Sequence, residues 1–218
     1  MKFDWDWAFT IEILPQLVAA LRVTVAATLV GFSVALAGGL LLAILRRSRV
    51  RLLSWTSTAL VEFVRSTPLL IQIYFLFYVM PELGVKLTPF VTGVVALGIH
   101  FSSYLSEVYR AGIDAVPRGQ WEAAAALNLD WRRTFVRIIL PQAIPPIVPA
   151  LGNHLVAMFK DTPMLSTITV LELLYTARDV GADTFRYLEP LTLVGALFLV
   201  VSLVAASGIR FVERRVGT

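Results

Sequence analysis

The sequence predicts an all-α integral membrane protein of about five transmembrane helices, and three observations carry that prediction. Of its 218 residues 57% are hydrophobic and 16% charged, against roughly 25% charged in soluble globular domains. The mean hydropathy is +0.76, and the apolar residues fall in blocks long enough to cross a bilayer rather than scattered through the chain. Between those blocks, lysine and arginine gather on alternate connections, the charge pattern that orients membrane helices.

The N-terminal stretch MKFDWDWAFTIEILPQ holds one lysine and three acids. That polarity is wrong for a secretory signal, so residues 1–16 read as an outer N-terminal segment and the first span as retained. A crossing helix needs about 20 mostly apolar residues. Span 17–45 meets this with only Arg22 charged near its start, and Ala27, Gly31, Ala35 and Gly39 place a small-residue ridge on one of its faces. Such a ridge lets a neighbouring helix approach closely, the ordinary means of packing in lipid. Span 53–80 contains Glu62 and Arg65, with a kink expected at Pro68. Span 90–109 follows. Span 138–159 has Pro141, Pro145, Pro146 and Pro149 in its first half, and span 187–211 leads to a tail, 210–218.

Twelve lysines and arginines lie on one side: four in RRSRVR, five between Arg110 and Arg137, and three in the tail. Five lie on the other: Lys2, Lys86, Lys160, Arg178 and Arg186. The asymmetry puts the N-terminus outside and the C-terminus in the cytoplasm. It also accounts for the net charge of +4 without nucleic acid. With no cysteine there is no disulfide or thiolate chemistry, and two histidines far apart, His100 and His154, argue against a histidine-rich metal site.

One cytoplasmic connection, 115–141, is unlike the rest of the chain. It contains EAAAALNLDWRRTFVRIILPQ, two short helices with a break between them. Pro117 precedes the first helix, and its alanines are strong helix formers. Asn128 stands where that helix should stop, in the left-handed conformation that asparagine tolerates best after glycine. Asp130 caps the next helix, and Pro141 marks the turn into span 138–159. The alanines make a narrow face able to enter a groove, with Glu122 as a charged handle at its edge. Arg132, Arg133 and Arg137 read as anchors snorkelling at the membrane surface.

These residues resemble the membrane subunit of type I ATP-binding cassette importers. Its cytoplasmic motif is E-A-A, three residues, G, nine residues, I-x-L-P. Glu122, Ala123, Ala124, Ile138, Leu140 and Pro141 match it, and Asn128 replaces the glycine. VEFVRSTPLLIQIYFLFYVMP, SYLSEVYRAGIDAVPRGQWEAA and MFKDTPML are similar to the polar amino-acid uptake branch, with Pro163 where that branch has serine. ILPQAIPPIVPALGNHLVAMFKDTP is closer to permeases for ectoine and hydroxyectoine. The resemblance implies an ABC type I transmembrane domain over 17–209, with 115–141 as the coupling loop. It implies three kinds of partner: an ABC ATPase dimer that uses the ATP, a second permease subunit, identical or paralogous, and a periplasmic or lipid-anchored solute-binding protein. The last would dock on PELGVKL and the acid-rich segment before the last span. The bilayer surrounds the assembly, in the bacterial cytoplasmic (inner) membrane.

No G-x-x-x-x-G-K-[ST] phosphate loop occurs, so ATP hydrolysis falls to a separate subunit, and this chain binds no cofactor of its own. Neither a nucleophile–base pair nor clustered metal ligands point to an enzyme. Charged residues at the bilayer centre cost about 2.5–3.5 kcal/mol on insertion scales, so those retained face protein or water. Candidate path residues are Arg65, Thr67, Glu107, Lys160, Asp161 and Thr162. Glu62 with Arg65, and Glu107 with Arg110, are spaced to pair on a helix face and to act as clamps. Lys160 and Asp161, adjacent, point apart and are expected to bond other helices; with Thr162 and Pro163 they interrupt a helix. Arg65 and Asp161 are the favoured complement for a zwitterion. His100 and Asn153 read as interhelical hydrogen-bonding groups. The alternative reading is a stand-alone secondary transporter or channel for a small zwitterionic solute, which would have no use for a docking helix.

Overall fold

The computed structural model describes residues 5–216, so Lys2 of the outer charge count lies outside the described residues. Eight helical stretches follow one another, with no strand among the described residues: α1 Trp7–Arg46, α2 Arg51–Ser66, α3 Leu69–Leu83, α4 Pro89–Asp114, α5 Arg118–Ala126, α6 Trp131–Ile168, α7 Leu173–Thr184 and α8 Leu188–Val216. Helices α1, α4, α6 and α8 are each long and apolar enough to cross a membrane, and α2 with α3 passes the same test as a bent pair.

The small-residue ridge explains how α1 and α4 pack. Ala27, Gly31, Ala35 and Gly39 are all buried. A Cβ on Gly39 would stand 2.8 Å from the Leu105 Cβ, and one on Gly31 3.4 Å from the Leu97 Cβ. Residue numbers rise together along this contact, so α1 and α4 run parallel. The chain therefore leaves α1 at one end, where Arg46 meets Glu107, and must reach the opposite end before α4 begins. That return is made by α2 and α3, which makes the pair a broken span. Helix α6 runs antiparallel to α4, with Ile147 against Gly112 and Leu165 against Gly93, and α8 lies along α6, with Ile209 against Gly152.

The expected kink at Pro68 is a break of 105°. Proline excludes its predecessor from helical backbone, and Thr67 is extended at φ −107°, ψ 137°. The carbonyls freed at the break are taken up locally: Gln72 Nε2 donates to Val64 O at 2.7 Å, to Thr67 O at 3.0 Å and to Thr67 Oγ1 at 2.8 Å. A second correction concerns Pro141. It marks no turn, because α6 continues through it; the irregularity sits one step earlier, in a wide π turn at Phe135–Ile139. There Leu140 N–H bonds Phe135 O, five residues back, which lets the helix continue into a proline-rich segment without a break. The sequence reading also left out α7, and α1 starts and α8 ends outside the limits expected for their spans.

Three apolar clusters hold the fold. The main one joins α1, α3, α4 and α6 through Ala35, Ile73, Leu97, Leu105, Met158 and Leu165. At one end Ile13 and Leu17 of α1 pack with Leu173, Ala177 and Val180 of α7. At the other Val116, Ile139, Ala143 and Ile147 form the base on which α5 sits, with Trp121 packed against them.

Candidate functional site

The elbow is built by backbone rules. Helix α5 ends with Asn128 at φ 50°. Asn128 N–H bonds Ala125 O at 2.9 Å, and Leu129 N–H bonds Ala124 O at 3.1 Å. This pair of bonds with a left-handed residue between them is the Schellman closure, and it gives the replaced glycine position a role asparagine can fill. Two residues on, Asp130 is extended and accepts from Arg133 N at 2.9 Å, capping α6. The chain turns through about four residues with its orphan groups satisfied.

That turn sorts the elbow into two faces. Ala124 is buried, Ile138 is half-buried against the base cluster, and Leu140 is half-buried. Glu122, Ala123, Asn128 and Pro141 are exposed, as is Leu127. Glu122 thus stands on the open face, with no ion pair among the described residues.

The second group of candidates converges at the same end of the bundle. Glu107 receives Arg46 at 2.7 Å and Arg110 at 2.7 Å, while Arg65 lies 3.6 Å away. Asp114 adds bonds to Arg47 at 2.6 Å and Arg110 at 3.0 Å. The Glu107–Arg110 pair is in place. The Glu62–Arg65 pair is also present but long, at 3.9 Å with Glu62 exposed, and Arg65 shares itself with Glu107 at 3.6 Å. The Arg65 guanidinium lies over the Tyr104 ring, 5.4 Å from its centroid. Around that ring stand His100 at 5.2 Å and His154 at 5.9 Å. His100 Nδ1 lies 3.2 Å from Gln72 Oε1, tying α4 to α3 as an interhelical hydrogen bond, and through Gln72 it reaches Thr67.

Other candidates are not brought together. Lys160 is exposed and faces a groove of about 290 Å³ toward α8, lined by Phe198, Leu199 and Ser202. Asp161 is half-buried, two helical turns from His154 on the same face. Neither Lys160 nor Asp161 bonds another helix among the described residues, contrary to expectation; Lys160 lines a groove instead of meeting a neighbour. Asn153 likewise makes no interhelical hydrogen bond among them. Thr162 is fully buried, and its hydroxyl donates to Phe159 O at 2.7 Å, so it closes the change from α to 3-10 geometry and offers nothing to a path in this conformation. Arg46, Gln72, Tyr104 and His154 were missed from the sequence. Each is ordinary alone; the signal is spatial convergence from four helices.

No group of three or more metal-ligating side chains exists among the described residues. Residues 35–218 match the family of binding-protein-dependent transport system inner membrane components, and the chain belongs to it. It is 48% identical to a probable amino-acid ABC transporter permease protein of Sinorhizobium fredii, over 97% of this chain and 94% of that one. It is 32% identical to the arginine transport system permease protein of Bacillus subtilis, covering 96% of each. The solved crystal structure of an amino acid ABC transporter with histidines superposes with a TM-score of 0.93 at 31% identity, over 98% of this chain and 100% of that one. The protein is the multi-pass permease subunit of an amino-acid ABC importer, a transport component rather than an enzyme.

Proposed function

We propose that the elbow 115–141 is the lever through which a separate ABC ATPase dimer, the consumer of ATP, drives this subunit. The carrying observation is the open face of α5: Glu122 without an ion pair among the described residues, on a helix whose other side buries Ala124 and packs Trp121 against the base cluster of α6. A force on that face reaches α6 through packed contacts and a helix without a break, so α5 and α6 move together. The N-terminus then lies outside and the C-terminus in the cytoplasm, in a bacterial inner membrane. A second copy or a paralogue completes the pathway, and an external binding protein delivers the solute.

The transported solute is a polar amino acid or a related compatible solute such as ectoine or hydroxyectoine. Arg65 takes its carboxylate and Asp161 its cationic group. What supports this pairing is that Arg65 is the least tightly held cation of the Glu107 cluster, and that Asp161 has no partner among the described residues. The test is Glu122→Ala in the assembled importer. Uptake is expected to be lost while the permease stays at its normal level in the membrane. Unimpaired uptake by that variant would overturn the coupling role.

A further inference from the structure

We propose that Tyr104 is a specificity-determining residue of the path, its ring face being the seat for the cationic group of a zwitterionic solute. The inference rests on the transport reading above and adds to it a residue that neither motif nor charge pattern singled out. Three observations lead to it. The Arg65 guanidinium already occupies that seat, 5.4 Å from the ring centroid, so the site accepts a cation of this chain's own. Arg65 is loosely held there. Arg46 and Arg110, each at 2.7 Å, take the two oxygens of Glu107, leaving Arg65 at 3.6 Å from that carboxylate and 3.9 Å from Glu62. Finally, the Tyr104 hydroxyl and the His154 ring have no hydrogen-bond partner among the described residues, although both lie in candidate membrane spans and are only half-buried. Polar groups kept within apolar spans without internal partners face protein cavities or water rather than lipid.

The sequence of events follows from the spacing of charges in the solute. An arriving carboxylate attracts the Arg65 guanidinium off the ring. In an amino acid the ammonium sits beside the carboxylate, so it reaches the ring face as Arg65 leaves it. One cation replaces another, whereas a solute lacking a positive group leaves the ring bare and gains nothing from it. His100 and His154 flank the ring at 5.2 and 5.9 Å and fix its plane. Asp161, two turns along the same face as His154, is the earlier station for the same cationic group.

The experiment uses the permease assembled with its ATPase in nanodiscs and measures equilibrium binding of four labelled probes: L-arginine, L-glutamine, L-cystine and ectoine. Tyr104→Phe keeps the ring and should bind within about twofold of the parent, whereas Tyr104→Leu should weaken binding about tenfold, the scale of a partly desolvated cation–π contact. Glutaramate, which is glutamine without its ammonium, should be insensitive to either change. A series of increasingly fluorinated phenylalanines at 104 drains the ring's negative face at nearly constant shape, and affinity should fall stepwise along it. That series also decides the matter if Tyr104→Leu fails to assemble. Equal binding by Tyr104→Leu, or a flat fluorination series, would overturn the proposal while leaving the transport reading intact. A parent complex that binds none of the four probes would overturn both.

Discussion

Asn128 and Phe185 share one backbone device at opposite ends of the molecule. Each follows a short helix and holds left-handed backbone, at φ 50° and φ 57°. At the elbow the turn is secured by its own neighbours, through the bonds to Ala124 and Ala125. At the other end no capping bond forms at Phe185 among the described residues. Its turn is held from far away: Arg186 bonds Asp6 at 3.1 Å and Glu189 at 2.7 Å, its guanidinium lies 4.2 Å from the Phe9 ring centroid, and Tyr187 packs where a Cβ on Gly181 would be. The elbow is a local structure, closed by its own backbone bonds. The turn at Phe185 is a tertiary structure, in which a strained aromatic residue is kept because its surroundings determine it.

The largest expected effect that would break this comparison is at Glu172. Its carboxylate is fully buried and caps α7, accepting from Leu174 N at 3.0 Å and Tyr175 N at 2.7 Å. Beside it Leu173 N donates to Thr24 Oγ1 of α1 at 3.1 Å. Glu172→Ala should cost about 2–3 kcal/mol in thermal or denaturant unfolding of the detergent-solubilised protein, since two buried amides lose their acceptor. The corresponding elbow change, Asp130→Ala, exposes its amide to water and should cost about 1 kcal/mol. Equal costs would mean that the two ends are secured in the same way.

The same contrast explains what was legible in the sequence. Asn128 as a left-handed stop, Asp130 as a cap, and the ridge of Ala27, Gly31, Ala35 and Gly39 are features of spacing and residue type, and short-range physics determines them. The break at Pro68 was legible as a place but not as an angle, because Gln72, several residues away, is what makes a sharp bend tolerable. The Glu107 cluster was half legible. Its i,i+3 partner Arg110 could be read from spacing, but Arg46 comes from a helix about sixty residues away and outcompetes Arg65 for the carboxylate. Helix α7 was missed because α7 is amphipathic and short, and its cap, Glu172, looks in sequence like one more acid of an exposed loop.

A smaller effect sharpens the comparison at the two left-handed residues. Phe185 is 89% exposed, so its side chain gains little by burial, yet a bulky residue at positive φ carries strain. Phe185→Gly should raise unfolding stability by about 0.5–1 kcal/mol, net of the extra freedom glycine has when unfolded. Asn128→Gly should change stability by only about 0.3 kcal/mol, because asparagine already tolerates the conformation. A loss of stability in Phe185→Gly would show that the ring itself holds the turn.

The smallest effect is a pH dependence read at the Phe185 end, where two carboxyls outside the candidate spans are shifted in opposite directions. The Phe9 amide and the Arg186 guanidinium hold Asp6 below its ordinary value of 3.8. Its contribution is therefore complete above 3.8 and is lost as pH falls through the lowered value. Burial pushes Glu172 above its ordinary 4.5, against the opposing pull of the Leu174 and Tyr175 amides. Its contribution is complete below 4.5 and is lost as pH rises through the raised value. Stability plotted against pH should thus have a shallow maximum on the acid side of neutrality, set by these two limbs. Asp6→Asn should shrink the acid limb and leave the other in place, since asparagine still caps α1 while the titration and the ion pair with Arg186 are both removed; the Arg186–Glu189 pair remains. Glu172→Gln should flatten the other limb alone. Thermal unfolding of the three proteins from acid to neutral pH checks this, and a Glu172→Gln profile that keeps the parent's upper limb would place the titrating group elsewhere. The two limbs belong to one tertiary structure, because Asp6 fixes the start of α1 to Arg186 while Glu172 joins α7 to the same helix through the Thr24 contact beside it.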